Sequence, residues 1–196
     1  MRNFTKLGMI ALAFGLFSCS GDDAGNPASG TCDTDALWLQ SGKFVEYDLE
    51  QFGFVAGTMK LSFGDCNGNG FVTTRQMIQP DGTVASTTTD LVFQDAGFIK
   101  NDVGSNGGYA STLYKLNASL GDVWSETNDN GSVITHEVVD IDSTITVPAG
   151  TFNCKVYKYT SSTAVNESFI FWNDEVGEVM EDAGFFTLKL KEHNYN

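Results

Sequence analysis

The sequence predicts a mainly β domain, a large curved antiparallel sheet with at most one or two short helices. Apolar residues recur with period two: Met59, Leu61 and Phe63 alternate with Lys60 and Ser62, and Phe186, Leu188 and Leu190 with Thr187, Lys189 and Lys191. Turn chemistry fills the intervals, as in Pro80-Asp81-Gly82 and Asp95-Ala96-Gly97. Short turns between successive strands imply antiparallel pairing, and about ten strands in one domain must curl, close or split into layers.

The elements follow in order from the amino terminus. Residues 1–18 carry Arg2, Lys6 and an apolar run over 7–17, with no acidic side chain, which is the pattern of a secretory signal peptide. That run has 11 residues, whereas a helix crossing a bilayer needs about 20. Leu16-Phe17-Ser18-Cys19 resembles a lipobox, so cleavage before Cys19 and transfer of a diacylglyceryl group to its sulfur are expected. Each buried methylene adds about 0.8 kcal/mol, and two or more chains anchor stably. Ser20-Gly21-Asp22-Asp23 resembles the acidic tag of surface-exposed lipoproteins in some Gram-negative bacteria. The expected location is the outer membrane, facing the cell exterior, with the periplasm as the alternative. Residues 19–31 form the lipidated cysteine and a small, polar tether, which spans about 20 Å as a random coil.

Residues 32–196 are expected to form a single β-rich domain. Residues 33–40 are the one stretch suited to a short helix, with Asp33 as its cap. Strands are expected over 44–49, 59–63, 71–79, 84–93, 109–116, 132–147, 153–160, 167–172 and 186–191. Three cysteines remain after lipidation. Cys32 lies where the tether meets the fold and Cys66 in a turn, so these two are the expected disulfide, with Cys154 left over among strand residues; a chain with none bridged is the alternative.

Three motifs carry a resemblance. They are Leu120-Gly121-Asp122-Val123-Trp124, then Val147-Pro148-Ala149-Gly150-Thr151-Phe152-Asn153-Cys154-Lys155-Val156, and Phe171-Trp172 followed by Val176-Gly177-Glu178-Val179. Together, over 109–196, they resemble a family of uncharacterised bacterial lipoprotein domains related to the carriers LolA and LolB. The family usually has a glycine where this chain has Glu175. The resemblance implies a LolA-like unclosed barrel. Trp124 and Trp172 then become core anchors or walls of a ligand cavity, core packing being the commoner fate of a tryptophan.

Charge and motif content exclude several functions. Losing Arg2 and Lys6 changes 11 basic against 25 acidic residues to 9 against 25, a net charge of −16. Such a surface repels phosphate backbones, so no nucleic acid partner is expected, and membrane contact is left to the lipid. Asp65, Asn67 and Asn69, with Gly70 and Gln76, approach an EF-hand calcium loop, but Gln76 lacks the bidentate carboxylate and Arg75 adds positive charge; a glycine-rich hairpin fits better. Asp140 and Asp142 form a carboxylate pair of the kind glycosidases use, though a solvated face is the commoner fate. His136 lacks a second histidine four residues on, and no nucleophile elbow, P-loop or dinucleotide glycine pattern is present.

No enzyme and no cofactor are therefore expected. The leading expectation is a membrane-anchored extracytoplasmic lipoprotein that binds a hydrophobic or amphipathic ligand, supported by 24 aromatic residues. The alternative is a surface glycan-binding or adhesion module using Tyr109 and Tyr159.

Overall fold

The computed structural model describes residues 32–68, 70–102, 110–128, 131–164 and 166–195. The signal peptide, Cys19, the tether, Asn69 and Tyr109 lie outside the described residues.

Twelve strands form one antiparallel sheet: β1 (Phe44–Gln51), β2 (Phe54–Asn67), β3 (Gly70–Ile78), β4 (Val84–Asp95), β5 (Phe98–Asp102), β6 (Ala110–Lys115), β7 (Val123–Thr127), β8 (Val133–Val147), β9 (Gly150–Ser161), β10 (Ser168–Asn173), β11 (Gly177–Asp182) and β12 (Phe186–His193). Their order is β6-β5-β4-β3-β2-β1-β12-β11-β10-β9-β8-β7. Every strand thus pairs with its sequence neighbours, except that β1 joins β12 and β6 leaves β7 unpaired. The sheet curls into a nearly closed barrel with one unsealed seam between β6 and β7. A side chain crosses that seam, where the Thr112 N–H donates to both carboxylate oxygens of Glu126 at 3.2 and 3.0 Å.

Three of these strands lie outside the sequence-based expectations. β5 and β7 have five residues each, too few to show a period, and β11 reads Gly-Glu-Val-Met-Glu-Asp, acidic enough to pass for a turn. No described residue is helical, so the helix expected over 33–40 is corrected to a bend at Asp35 and a turn at Leu37-Trp38. Eight residues are too few to hold a helix without packing on one face. Here Ala36, Trp38 and Leu39 are all buried, which a turn achieves by folding them under the barrel. Thr34, and not Asp33, accepts from the Ala36 N–H.

The antiparallel meander sorts the turns onto two ends. One end collects the turns around residues 68, 96–97, 116–122, 148–149 and 174–176, and the other those around 52–53, 79–83, 128–132, 162–167 and 183–185. The chain enters at the first end, and residues 32–43 plug it. Gly42 N–H donates to the Phe63 carbonyl, the Phe63 N–H to the Lys43 carbonyl, and the Tyr195 hydroxyl to the Trp38 carbonyl. A Cys32–Cys66 disulfide, with Cα atoms 5.7 Å apart, ties the plug to β2. At the far end Phe52, Phe54 and Phe185 stand exposed.

Outside, β2, β1 and β12 carry a ladder of ion pairs. Lys60 and Lys191 meet Glu46 at 4.0 and 3.3 Å, Lys191 meets Asp48 at 3.5 Å, and Lys189 meets Glu50 at 2.7 Å. A lipid-facing wall would pay several kcal/mol for charges at its midline, about 2–4 for each lysine, so this outer face is built for water. Inside, two clusters form the core. One gathers Trp38, Phe63, Tyr114, Tyr157 and Trp172; the other gathers Val45, Tyr47, Leu188 and Leu190 with Val147 and Cys154 of the β8–β9 hairpin.

Candidate functional site: an interior cavity

The period-two alternation that builds the strands also builds a cavity. Leu49 of β1, Met59 and Leu61 of β2, Met77 of β3, Ile170 of β10 and Leu188 of β12 all point inward and leave about 570 Å³ unfilled. A pocket of that volume lies within the range of about 300–1,000 Å³ that holds small molecules. The lining runs from Trp38 and Phe63 beside the plug to Gln51, Met77 and Phe186 toward the far end.

A polar group interrupts the apolar wall. Arg75, on the inward face of β3 between Thr73 and Met77, lies 3.9 Å from Asp90 of β4, which is 6% exposed. Across the cavity β11 contributes Glu178 and Glu181. Three residues apart, they would fall on opposite faces of a regular strand. A bulge makes the difference: Phe171 pairs with Met180 but Trp172 with Glu178, so Val179 is the extra residue and both glutamates turn inward. Burial pushes the Glu178 carboxyl up to about 8, helped by the negative charge of Glu181 and opposed by Arg75. Burial likewise raises Glu181, again against the pull of Arg75. Tyr47 donates its hydroxyl to the Glu178 carbonyl at 3.0 Å, and burial holds its phenol well above the ordinary range.

A second polar cluster lies near the seam. His136, 3% exposed, has Nε2 3.4 Å from Glu126 Oε1 and its ring stacked on Trp124 at 5.0 Å. Glu126, His136 and Tyr159 all line the cavity.

The predicted residues divide accordingly. Trp172 lines the cavity, stacked on Tyr114 at 4.6 Å and edge-on to Trp38 at 5.2 Å. Trp124 packs behind His136 and against Phe98 and is not part of the lining. Asp65 and Asn67 end β2, where Asn67 pairs with Gly70 in a tight hairpin, Asp65 accepts from the Ser41 hydroxyl, and Gln76 lies along β3 opposite Lys60. A hairpin of that form does not wrap a twelve-residue loop around a cation. Asp140 and Asp142 are exposed beside two bulges of β8 and do not reach the cavity, and Asn153 donates to Asp142 at 2.6 Å. Among the described residues, no group of three or more His, Cys, Asp or Glu side chains is placed to hold a metal. Cys154 is a free, buried thiol, pushed up to about 11 by burial, which suits packing and not nucleophilic attack.

Arg75, Asp90, Glu178 and Glu181 were absent from the sequence-based candidates. Alternation with Thr73 and Met77 carried a signal for Arg75; no pattern in the sequence signals the bulge that turns both glutamates inward.

No protein-family model matches the chain, and no curated protein matches it. Two solved structures match it. A candidate exported protein with a YmcC-like fold from Bacteroides fragilis superposes with a TM-score of 0.60 at 12% identity, over 81% of this chain and 99% of its own. A beta-barrel-like protein of the domain of unknown function DUF1849 from Brucella abortus gives 0.35 at 11% identity, over 79% and 97%. At such identities the first likeness speaks for the fold alone.

Proposed function

We propose that this chain is a non-catalytic extracytoplasmic lipoprotein, anchored through Cys19, whose barrel holds an apolar or amphipathic molecule. The observation that carries the reading is the interior cavity of about 570 Å³ under an apolar wall. Well-packed interiors leave few voids larger than a water molecule, and filling this one with two or three more side chains would have been simple for a purely structural barrel. The lipobox, the polar tether and the exported status suggested for the Bacteroides neighbour support the location. The acidic tag after Cys19 supports an outward-facing outer-membrane position.

The surface glycan reading loses one of its two aromatics, because Tyr159 lines the cavity and does not face outward. The hydrolytic reading loses its cleft, because Asp140 and Asp142 are exposed outside the barrel interior.

Two measurements test the proposal. Organic extraction of the purified protein followed by mass spectrometry is expected to release an apolar molecule. Phenylnaphthylamine is expected to fluoresce on binding the emptied protein, and to lose that signal in Leu61→Trp and Ile170→Trp, which fill the cavity. A protein that yields nothing on extraction and leaves the probe dark overturns the binding reading. Labelled palmitate incorporated equally by wild type and Cys19→Ser overturns the anchor.

A further inference from the structure

The plugged half of the cavity holds an unusual set of unpaired donors. Trp38 and Trp172, each 4% exposed, line the cavity, and neither indole N–H has a hydrogen-bond partner. Arg75 Nε is buried and unpaired as well. A fourth cavity atom, Glu178 Oε1, also lacks a partner, but buried indole and guanidinium donors nearly always find an acceptor, so the three N–H groups point to an acceptor.

Register places them together. Phe63, whose ring lies 5.6 Å from that of Trp38, pairs with Thr73, and Arg75 follows one inward step along β3. Trp172, 5.2 Å from Trp38, pairs across strands with Glu178. Two carboxyl groups stand beside them, and a third, Glu181, lies farther along the wall opposite Ile170 with its own titration raised by burial. Asp90 faces Arg75, and burial keeps the proton on Glu178, leaving that carboxyl as a further donor. The wall farther along carries Leu49, Met77, Ile170 and Phe186, interrupted by Gln51 and Glu181.

We infer that the cavity takes an acyl compound, a carboxylic acid or its ester, with the carbonyl oxygens held deep by Arg75, Trp38 and Trp172 and the chain lying toward the far end. This rests on the cavity-binding reading above, and goes beyond it by naming the head group. The head is recognised as an acceptor, so a positively charged head of equal chain length is rejected.

The test uses the full mature chain carrying Cys19→Ser, with phenylnaphthylamine displaced by dodecanoate, methyl dodecanoate or dodecylamine. One or both acyl probes are expected to bind about tenfold more tightly than the amine, and whichever leads distinguishes free acid from ester. Arg75→Met is expected to weaken the acyl probes about tenfold, the scale of one charge-assisted hydrogen bond, while phenylnaphthylamine, which has no such head, binds as before. Trp172→Phe keeps the ring and removes only the N–H; it is expected to weaken acyl binding several-fold, and it serves if Arg75→Met does not fold. Amine binding that equals or exceeds acyl binding overturns the head-group inference while leaving the cavity reading intact. Acyl affinities unchanged in the folded variants do the same. Failure of phenylnaphthylamine itself to bind the wild type overturns both.

Discussion

Glu178 gives the barrel interior a pH dependence whose sign can be worked out. An unfolded glutamate titrates near 4.5, whereas burial in the barrel pushes Glu178 up to about 8. Between those values the unfolded chain sheds the proton that the native state keeps. Stability is therefore greatest below about 4.5 as far as this group is concerned, and declines as pH rises toward about 8, by at most about 1.4 kcal/mol per pH unit. Glu178→Gln is expected to flatten that decline, raising Tm relative to wild type at pH 8 far more than at pH 5. Equal Tm differences at both pH values would show that Glu178 is ionised throughout. Nothing in the sequence around Glu178 forecast this environment. The side chain is one of 25 acidic residues, and only the bulge at Val179 turns it from the solvated face to the cavity. Trp172, by contrast, was legible: an aromatic surrounded by strand residues has few places to go but inward.

Among the elements, the plug over residues 32–43 depends most on a single covalent bond. It has no ladder partner beyond its contacts with Phe63, and its helix potential is unused. The Cys32–Cys66 bond closes a loop with a sequence separation of 34, which in the chain-entropy model stabilises the fold by about 3–4 kcal/mol. Cys32→Ala with Cys66→Ala is expected to lower the unfolding free energy by about that amount in a denaturant titration. Hydrogen exchange is expected to rise first at Trp38 and Leu39. Uniform loss of protection across all strands would place the bond's effect outside the plug. The strands themselves were legible where apolar and polar residues alternate without a break, as at 59–63 of β2 and 186–191 of β12. β7 and β11 were not, because their inward positions include Glu126, Glu178 and Glu181, and polar groups facing a cavity erase the contrast that marks a strand.

Across the whole molecule, curvature was legible from strand number alone, since so many antiparallel strands cannot stay flat. The position of the unsealed seam was not. It depends on β6 and β7, consecutive in the chain, declining to pair, and the motif Leu120–Trp124 that spans the turn and the start of β7 does not signal that. Such pairing as would close it is replaced by Glu126 reaching to the Thr112 amide. All other hydrogen-bonded neighbours are also neighbours in sequence, apart from β1 and β12, so one pairing between opposite ends of the chain carries most of the loop-closure entropy.

That topology has a use for protein engineering. Near the two ends of the described chain the Tyr195 hydroxyl donates to the Trp38 carbonyl, while among the described residues the gap between β6 and β7 is crossed by side-chain contacts and a short loop. Splicing the old ends through a brief linker and cutting within 116–122 would yield a circular permutant whose strands run straight from one border of the sheet to the other. Every ladder in it would be a hairpin. Stopped-flow refolding is expected to be faster than for the parent, with little change in unfolding rate; equal refolding rates would mean that bringing β1 to β12 is not the slow event.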